Sequence, residues 1–258
     1  MVRKKMLVLL AGSPGTGKSY LLNLLKKRFP DLFALTPDEI KECYAESLGF
    51  DSLAEKAQIE KQYVWPFYYQ ALGLYMSLGK RLVVSEYPFS EKQKPLLTFL
   101  AQSYGYDCLT IRLTASFETL WERRHLRDQA DDRHLSFIME RYHYGDVLED
   151  RQAATNHITK EAFRQIITDR RYDDFQLGTL IEVNVEDYEQ VDYRPLIERI
   201  DEQLNDLNCR KTGATPEKGS ACFFSLIPKI SKFLGFGLVG FRLILWHQIA
   251  PLYWQNRH

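Results

Sequence analysis

The sequence predicts an α/β fold: a five-stranded parallel sheet between two layers of helices, followed by an amphipathic helical tail. Three observations carry this. Short apolar runs alternate with helical patterns over residues 6–204. The first run ends in a glycine-rich loop that opens directly into a helix. The 258 residues, 45% of them hydrophobic, suffice for one large domain plus an appendage.

The elements follow in order. MLVLLA (6–11) is apolar at every position, as a strand covered on both faces must be. Residues 19–29 place leucines at 21, 22, 24 and 25 and end in basic residues, the pattern of a helix. A short second strand is predicted at 32–36 and a helix from 38. A long helix over 51–79 is expected to bend near Pro66, whose ring cannot fit a regular helix interior. RLVVS (81–85) is a third strand, 91–105 a helix, and DCLTIRLT (107–114) a fourth strand. Residues 116–129 form an amphipathic helix with Ser116 as its N-cap. Polar residues 131–178 are expected to be mostly helical. TLIEVNV (179–185) is the fifth strand and 194–204 a closing helix.

GSPGTGKS, residues 12–19, satisfies G-x-x-x-x-G-K-[ST] in full and lies between a predicted strand and a predicted helix, where that motif belongs. The pattern is a P-loop. Its glycines let successive backbone N–H groups turn toward phosphate oxygens, and the following helix N-terminus adds partial positive charge. Lys18 is expected to reach the β- and γ-phosphates, and the Ser19 hydroxyl to coordinate magnesium. The predicted ligands are ATP and Mg²⁺. The nucleotide-binding set is Gly12, Ser13, Pro14, Gly15, Thr16, Gly17, Lys18, Ser19 and Tyr20. A second pattern, GFGLVG at 235–240, has no strand before it and no acid after it, and reads as small residues on an apolar helix.

GSPGTGKS, then TPDEIK after the second strand, then GKRLVVSE, then LTASFETLWERRHLRDQADDRH follow one another over about residues 5–205. In that order the chain resembles P-loop kinases of the polynucleotide-kinase, zeta-toxin and "predicted kinase" group. The resemblance implies a P-loop NTPase three-layer sandwich and ATP-dependent phosphoryl transfer to a hydroxyl. It places Asp38 as the acceptor-side base, with Lys41 where arginine is usual. The bare sequence leaves a second role open for Asp38, since TPDEI is also a good helix start. The third strand in such kinases often ends in Asp; here it ends Ser85-Glu86. Glu86 is the candidate second acid at the metal, on the opposite face of a regular strand from Ser85. Arg123 and Arg127, four apart on one helix face, are the lid candidates for stabilising the transferred group, with Arg124 and Arg133 behind them. The alternative for that cluster is a salt-bridged surface using Glu122, Asp128, Asp131 and Asp132. The aromatics of 63–75 are read as core in preference to an acceptor wall.

Composition narrows the function. The formal net charge is zero, and the first 217 residues carry all 34 acids against 29 basic residues, so long nucleic acid is not an expected partner. Four cysteines without CxxC or Cys/His spacing fit reduced thiols in a cytoplasmic protein. The domain reading is 1–207 for the nucleotide-binding domain, 208–220 for a polar linker and 221–258 for the tail. Five basic residues and no acid follow Glu217, and an apolar stripe at spacings of three and four runs from Phe223 to Leu252. That composition fits an interfacial helix on an anionic membrane surface, or docking on the body or a protein partner. Arg242 in the middle of the longest apolar window disfavours a spanning helix. The functional expectation is a phosphotransferase with a small-molecule or nucleotide-type acceptor. The alternatives are an ATP-binding switch or ATPase, and a catalytically degenerate binding module, either one recruited by the tail.

Overall fold

A computed structural model of the protein describes residues 4–205. The predicted linker, the tail with its GFGLVG segment, and the last two cysteines lie outside the described residues.

Five parallel strands form one sheet in the order β2-β3-β1-β4-β5. They are β1 (Met6–Ala11), β2 (Phe33–Leu35), β3 (Leu82–Glu86), β4 (Asp107–Thr114) and β5 (Thr179–Asn184). β1 is central because it is apolar throughout, and all six of its residues are buried. Its side chains alternate between two cores. Met6, Val8 and Leu10 pack with Leu21 and Leu25 of α1 (Lys18–Arg28) and with Ile200 and Leu204 of α8 (Arg194–Asn205). Leu7, Leu9 and Ala11 face Tyr68 and Leu72 of α4 (Trp65–Ser77) and Leu97 of α5 (Lys94–Tyr104). Burial of this kind stabilises by roughly 1.5–3 kcal/mol for each large side chain.

α2 (Pro37–Leu48) and α3 (Leu53–Ile59) follow β2. The predicted bend before Pro66 takes a specific form. Residues 60–64 make one π-helical turn between α3 and α4, and the Trp65 N–H reaches back to the Glu60 carbonyl. The wider turn relieves the clash between the Pro66 ring and the carbonyl four residues before it.

One expectation fails. Residues 131–178 are mostly irregular: besides 3₁₀ turns they contain one helix, α7 (Lys160–Arg170). Their apolar side chains are buried one at a time, as with Ile138, Tyr142, Ala154, Phe163 and Phe175, rather than as a helical stripe. Among the described residues no helix is long and apolar enough to cross a membrane.

Candidate nucleotide and acceptor cleft

The P-loop connects β1 to α1. Gly12 adopts φ 118°, and a Cβ there would lie 2.2 Å from the Leu113 carbonyl oxygen, so only glycine fits against β4. The Ser13 and Thr16 side chains are buried, and the Thr16 hydroxyl donates to the Ser13 carbonyl at 3.0 Å, which holds the loop's curvature. α1 starts at Gly17 without a side-chain cap and without an acid in its first turn, whereas α2 is capped by a side chain. Its leading N–H groups are therefore left to an external acceptor, and a phosphate suits them.

Lys18 is 7% exposed and donates to the carbonyls of Gly12 and Ser13, each at 3.0 Å. Burial pulls its pKa down to about 8, with Glu86 partly opposing. This ammonium has no carboxylate partner within ion-pair distance among the described residues, so a bound polyphosphate would relieve its desolvation.

Ser85 and Glu86 lie on opposite faces of β3. Ser85 turns into the α4-side core, where its hydroxyl donates to the Leu35 carbonyl at 2.7 Å and lies 2.8 Å from the Tyr68 hydroxyl. Glu86 therefore faces the other way, toward α1, and accepts from Ser19 Oγ at 2.5 Å. Burial raises its carboxyl above the ordinary range, while Ser19 and Lys18 pull it back. Its second oxygen is buried without a hydrogen-bond partner among the described residues. A hydroxyl beside a carboxylate with a spare buried oxygen is a hard-oxygen donor set of the kind magnesium takes with a nucleotide, so the residues present fit the expected ion.

The helix-cap role proposed for Asp38 is filled by another residue. Thr36 caps α2, accepting from the Glu39 N–H. Asp38, in the first turn, points into the cleft. Burial alone would raise its pKa, but Lys41 at 3.3 Å outweighs it, aided by Arg133 and Arg127, and the carboxyl is held below the ordinary aspartate value. Lys41 is itself clamped by Asp38, by the Tyr87 hydroxyl at 3.1 Å and by Glu60 at 3.7 Å. Burial works against its charge, yet these partners raise its pKa overall. The π-turn thus supplies Glu60 as a partner for Lys41.

The arginines separate into different settings. Arg123 donates to the Val185 and Glu186 carbonyls at 2.7 and 2.9 Å and covers the Tyr188 ring at 3.6 Å. Tyr188 in turn donates to the Gly15 carbonyl at 2.8 Å. Arg124 and Arg133 flank Asp128 at 3.3 and 3.4 Å, and Arg127 reaches it only at 3.7 Å with its side chain 41% exposed. The salt-bridge alternative thus describes Arg124 and Arg133 better than Arg123 or Arg127.

These groups share one cleft of about 800 Å³, lined by Gly15, Gly17, Lys18, Ser19, Asp38, Lys41, Glu86, Arg123, Arg127 and Arg133 among others. Tyr20 is set apart: it is 61% exposed and packs toward Tyr193 at 6.0 Å rather than lining the cleft. The aromatic residues on the cleft wall are Tyr87, Phe137 and Tyr188, and none comes from 63–75, where Tyr68 and Tyr69 are core. Tyr87 and Tyr188 each lie just past a strand's C-terminal end, the edge where open parallel sheets bind ligands. That rule was the available signal for them. Lys56 and Glu60 carried none, because their place depends on how the long helix bends. Among the described residues no three His, Cys, Asp or Glu side chains gather into a metal-binding group.

The architecture is the P-loop kinase fold. No protein-family model matches the sequence, and no curated protein matches it either. Among solved structures, a protein from Chloroflexus aurantiacus described as a candidate kinase aligns at 21% identity over 78% of this chain and 99% of its own, with a TM-score of 0.60. The tunicamycin resistance protein of Deinococcus radiodurans aligns at 17% identity over 83% of this chain and 100% of its own, TM-score 0.47. A gluconokinase from Sinorhizobium meliloti aligns at 15% over 79% and 91%, TM-score 0.42. The first of these bears on the fold; the other two are too loose to add to it.

Proposed function

We propose that the protein transfers the γ-phosphoryl group of ATP to a hydroxyl of a small-molecule or nucleotide-type acceptor. The observation that carries this reading is that Gly15, Gly17, Lys18 and Ser19 of the P-loop and an ionised carboxylate without capping duty line one cleft. Residues 12–19 would hold the triphosphate, and Ser19 and Glu86 the magnesium. Bound magnesium–ATP supplies an electrophilic phosphoryl group and an ADP leaving group. The chain's own residues do the rest. Lys18 places a desolvated positive charge at the phosphate end of the cleft. Asp38 accepts the acceptor hydroxyl's proton, and Lys41 keeps it ionised until then. Arg127, only weakly paired, is free to balance charge on the transferring group. Arg123 is occupied by two carbonyls and a ring. With Tyr188 it offers a flat cationic platform beside Gly15 and Gly17 suited to the nucleotide base.

A switch or a binding module has no use for a cation-balanced carboxylate at this place, which favours the transferase. The experiment is ADP release with and without a pooled set of hydroxyl metabolites. Acceleration by a pool in wild type and not in Asp38→Asn, with ATP affinity equal in both, supports the reading. No acceleration by any pool counts against it.

A further inference from the structure

Three cations on the cleft wall share a single carboxylate. Arg124, Arg127 and Arg133 all lean on Asp128. Arg133 Nε, though 3.4 Å from Asp128, is buried without a well-formed hydrogen bond among the described residues. A fourth cation shares the Phe137 ring. Lys56 stands 5.4 Å from the ring centroid and Arg133 4.0 Å from it. Lys56 Nζ donates to the Ser136 carbonyl at 2.6 Å and has no ion-pair partner among the described residues. Glu39 and Glu42 line the same cleft, and the Arg133 charge acts on Glu42, but neither carboxylate forms an ion pair with these cations among the described residues. Two half-buried cations around one ring, without full neutralisation, are a costly arrangement unless an anion joins them.

Among the described residues neither Lys56 nor Arg133 makes a hydrogen bond, ion pair or ring contact with residues 12–19. The charges bearing most on Lys18 are Glu86, Arg127, Asp38 and Asp173. Those bearing on Lys56 are Glu60, Lys41, Arg133 and Asp38.

We propose that the acceptor is an anionic hydroxyl compound whose phosphate or carboxylate is held by Lys56 and Arg133 beside Phe137, with its hydroxyl presented to Asp38. The planar Arg133 fork suits two oxygens of either group, and Lys56 adds a point charge. This rests on the phosphotransferase reading for the role of the hydroxyl. The anion site itself is tested by binding and needs no turnover.

The test uses the full chain saturated with ADP and magnesium, titrated with inorganic phosphate. Wild type is expected to bind phosphate. Lys56→Met is expected to weaken that binding at least tenfold, Lys56→Arg to restore it, and Arg133→Lys to weaken it while the protein stays folded. ADP affinity should stay within twofold in all variants. A matched set of glucose, gluconate, glucose 6-phosphate and glucosamine then separates the sources: tighter binding of gluconate assigns a carboxylate, and of glucose 6-phosphate a phosphate. No phosphate binding, unchanged binding in Lys56→Met, or glucose or glucosamine binding as tightly as the anions overturns the proposal. So does a loss of phosphate binding that appears only together with a loss of ADP affinity, since the cations would then serve the nucleotide. Failure of the phosphotransferase reading shows separately, as phosphate binding that needs Lys56 without acceptor-stimulated ADP release.

Discussion

The Ser19 hydroxyl donates to Glu86 at 2.5 Å, joining the end of the P-loop to the end of β3, and the other Glu86 oxygen is buried without a partner among the described residues. If this pair holds magnesium, the charge on Glu86 matters only when the metal is present. Glu86→Gln should therefore lose about 10–100-fold in ATP affinity with magnesium. In EDTA its affinity should equal or exceed that of wild type, because a negative charge near the phosphates is gone. Equilibrium nucleotide binding under the two conditions checks this.

Lys18 has a second, pH-dependent consequence. Its folded pKa of about 8 lies below the ordinary lysine value of 10.5. Between those values the unfolded chain binds a proton that the folded protein does not, so stability rises with pH across that window. Below about pH 8 the folded protein carries the buried charge at its full cost, about 3 kcal/mol before the lost hydrogen bonds are counted. Nucleotide-free Lys18→Met should accordingly be more stable than wild type at pH 7, and the gap should shrink by pH 9.5. Denaturant melts at both pH values measure it. Adding ATP should reverse the order.

Thr36 and Asp38 divide two roles that the sequence left together. Thr36→Ala should cost about 1 kcal/mol of stability through the lost cap. Asp38→Asn should leave the helix in place and lower turnover by roughly 10²–10⁴-fold. Thermal melts and steady-state rates on the two variants check the division.

Lys41 sets the acid limit of that carboxylate. Asp38 is held below its ordinary pKa, so its ion pair contributes stability above the unfolded aspartate value and loses it as pH falls through the folded one. Lys41→Met should let Asp38 take up its proton at higher pH. The acid limb of the kcat/KM profile should then move upward, and a pH–rate series on the variant reads the shift.

Gly17 meets Tyr188 closely. It adopts φ 78°, and a Cβ there would lie 2.9 Å from the Tyr188 hydroxyl. Gly17→Ala should displace that ring from the platform it forms with Arg123, with a backbone cost of roughly 1–2 kcal/mol. Nucleotide affinity should fall, and fall less in Gly17→Ala/Tyr188→Ala than the two single losses combined predict. A double-mutant cycle on ADP binding measures the coupling.

The legible parts of this molecule were those encoded locally. β1 is a continuous apolar run because both its faces are covered, and the P-loop follows it directly as a contiguous motif. The partition of TPDEI was not legible, since a hydroxyl and two carboxylates compete for one cap and only the helix's real start decides among them. Strand alternation made it legible that Glu86 opposes Ser85, but which of the two meets α1 is decided only by the packing of β3. The helical expectation for 131–178 failed because polar composition does not show whether scattered apolar residues will act as a stripe or as single anchors. Lys56 and Arg133 meet at Phe137 only through the fold, far apart in sequence and without a motif between them.

The central claim is that phosphate leaves ATP for an organic hydroxyl and not for water. The direct measurement follows γ-labelled ATP in the presence of anionic hydroxyl metabolites. The account predicts label in an organic phosphate ester with wild type and none with Asp38→Asn, while both bind ATP equally. Label recovered only as inorganic phosphate, at the same rate in both proteins, would contradict it.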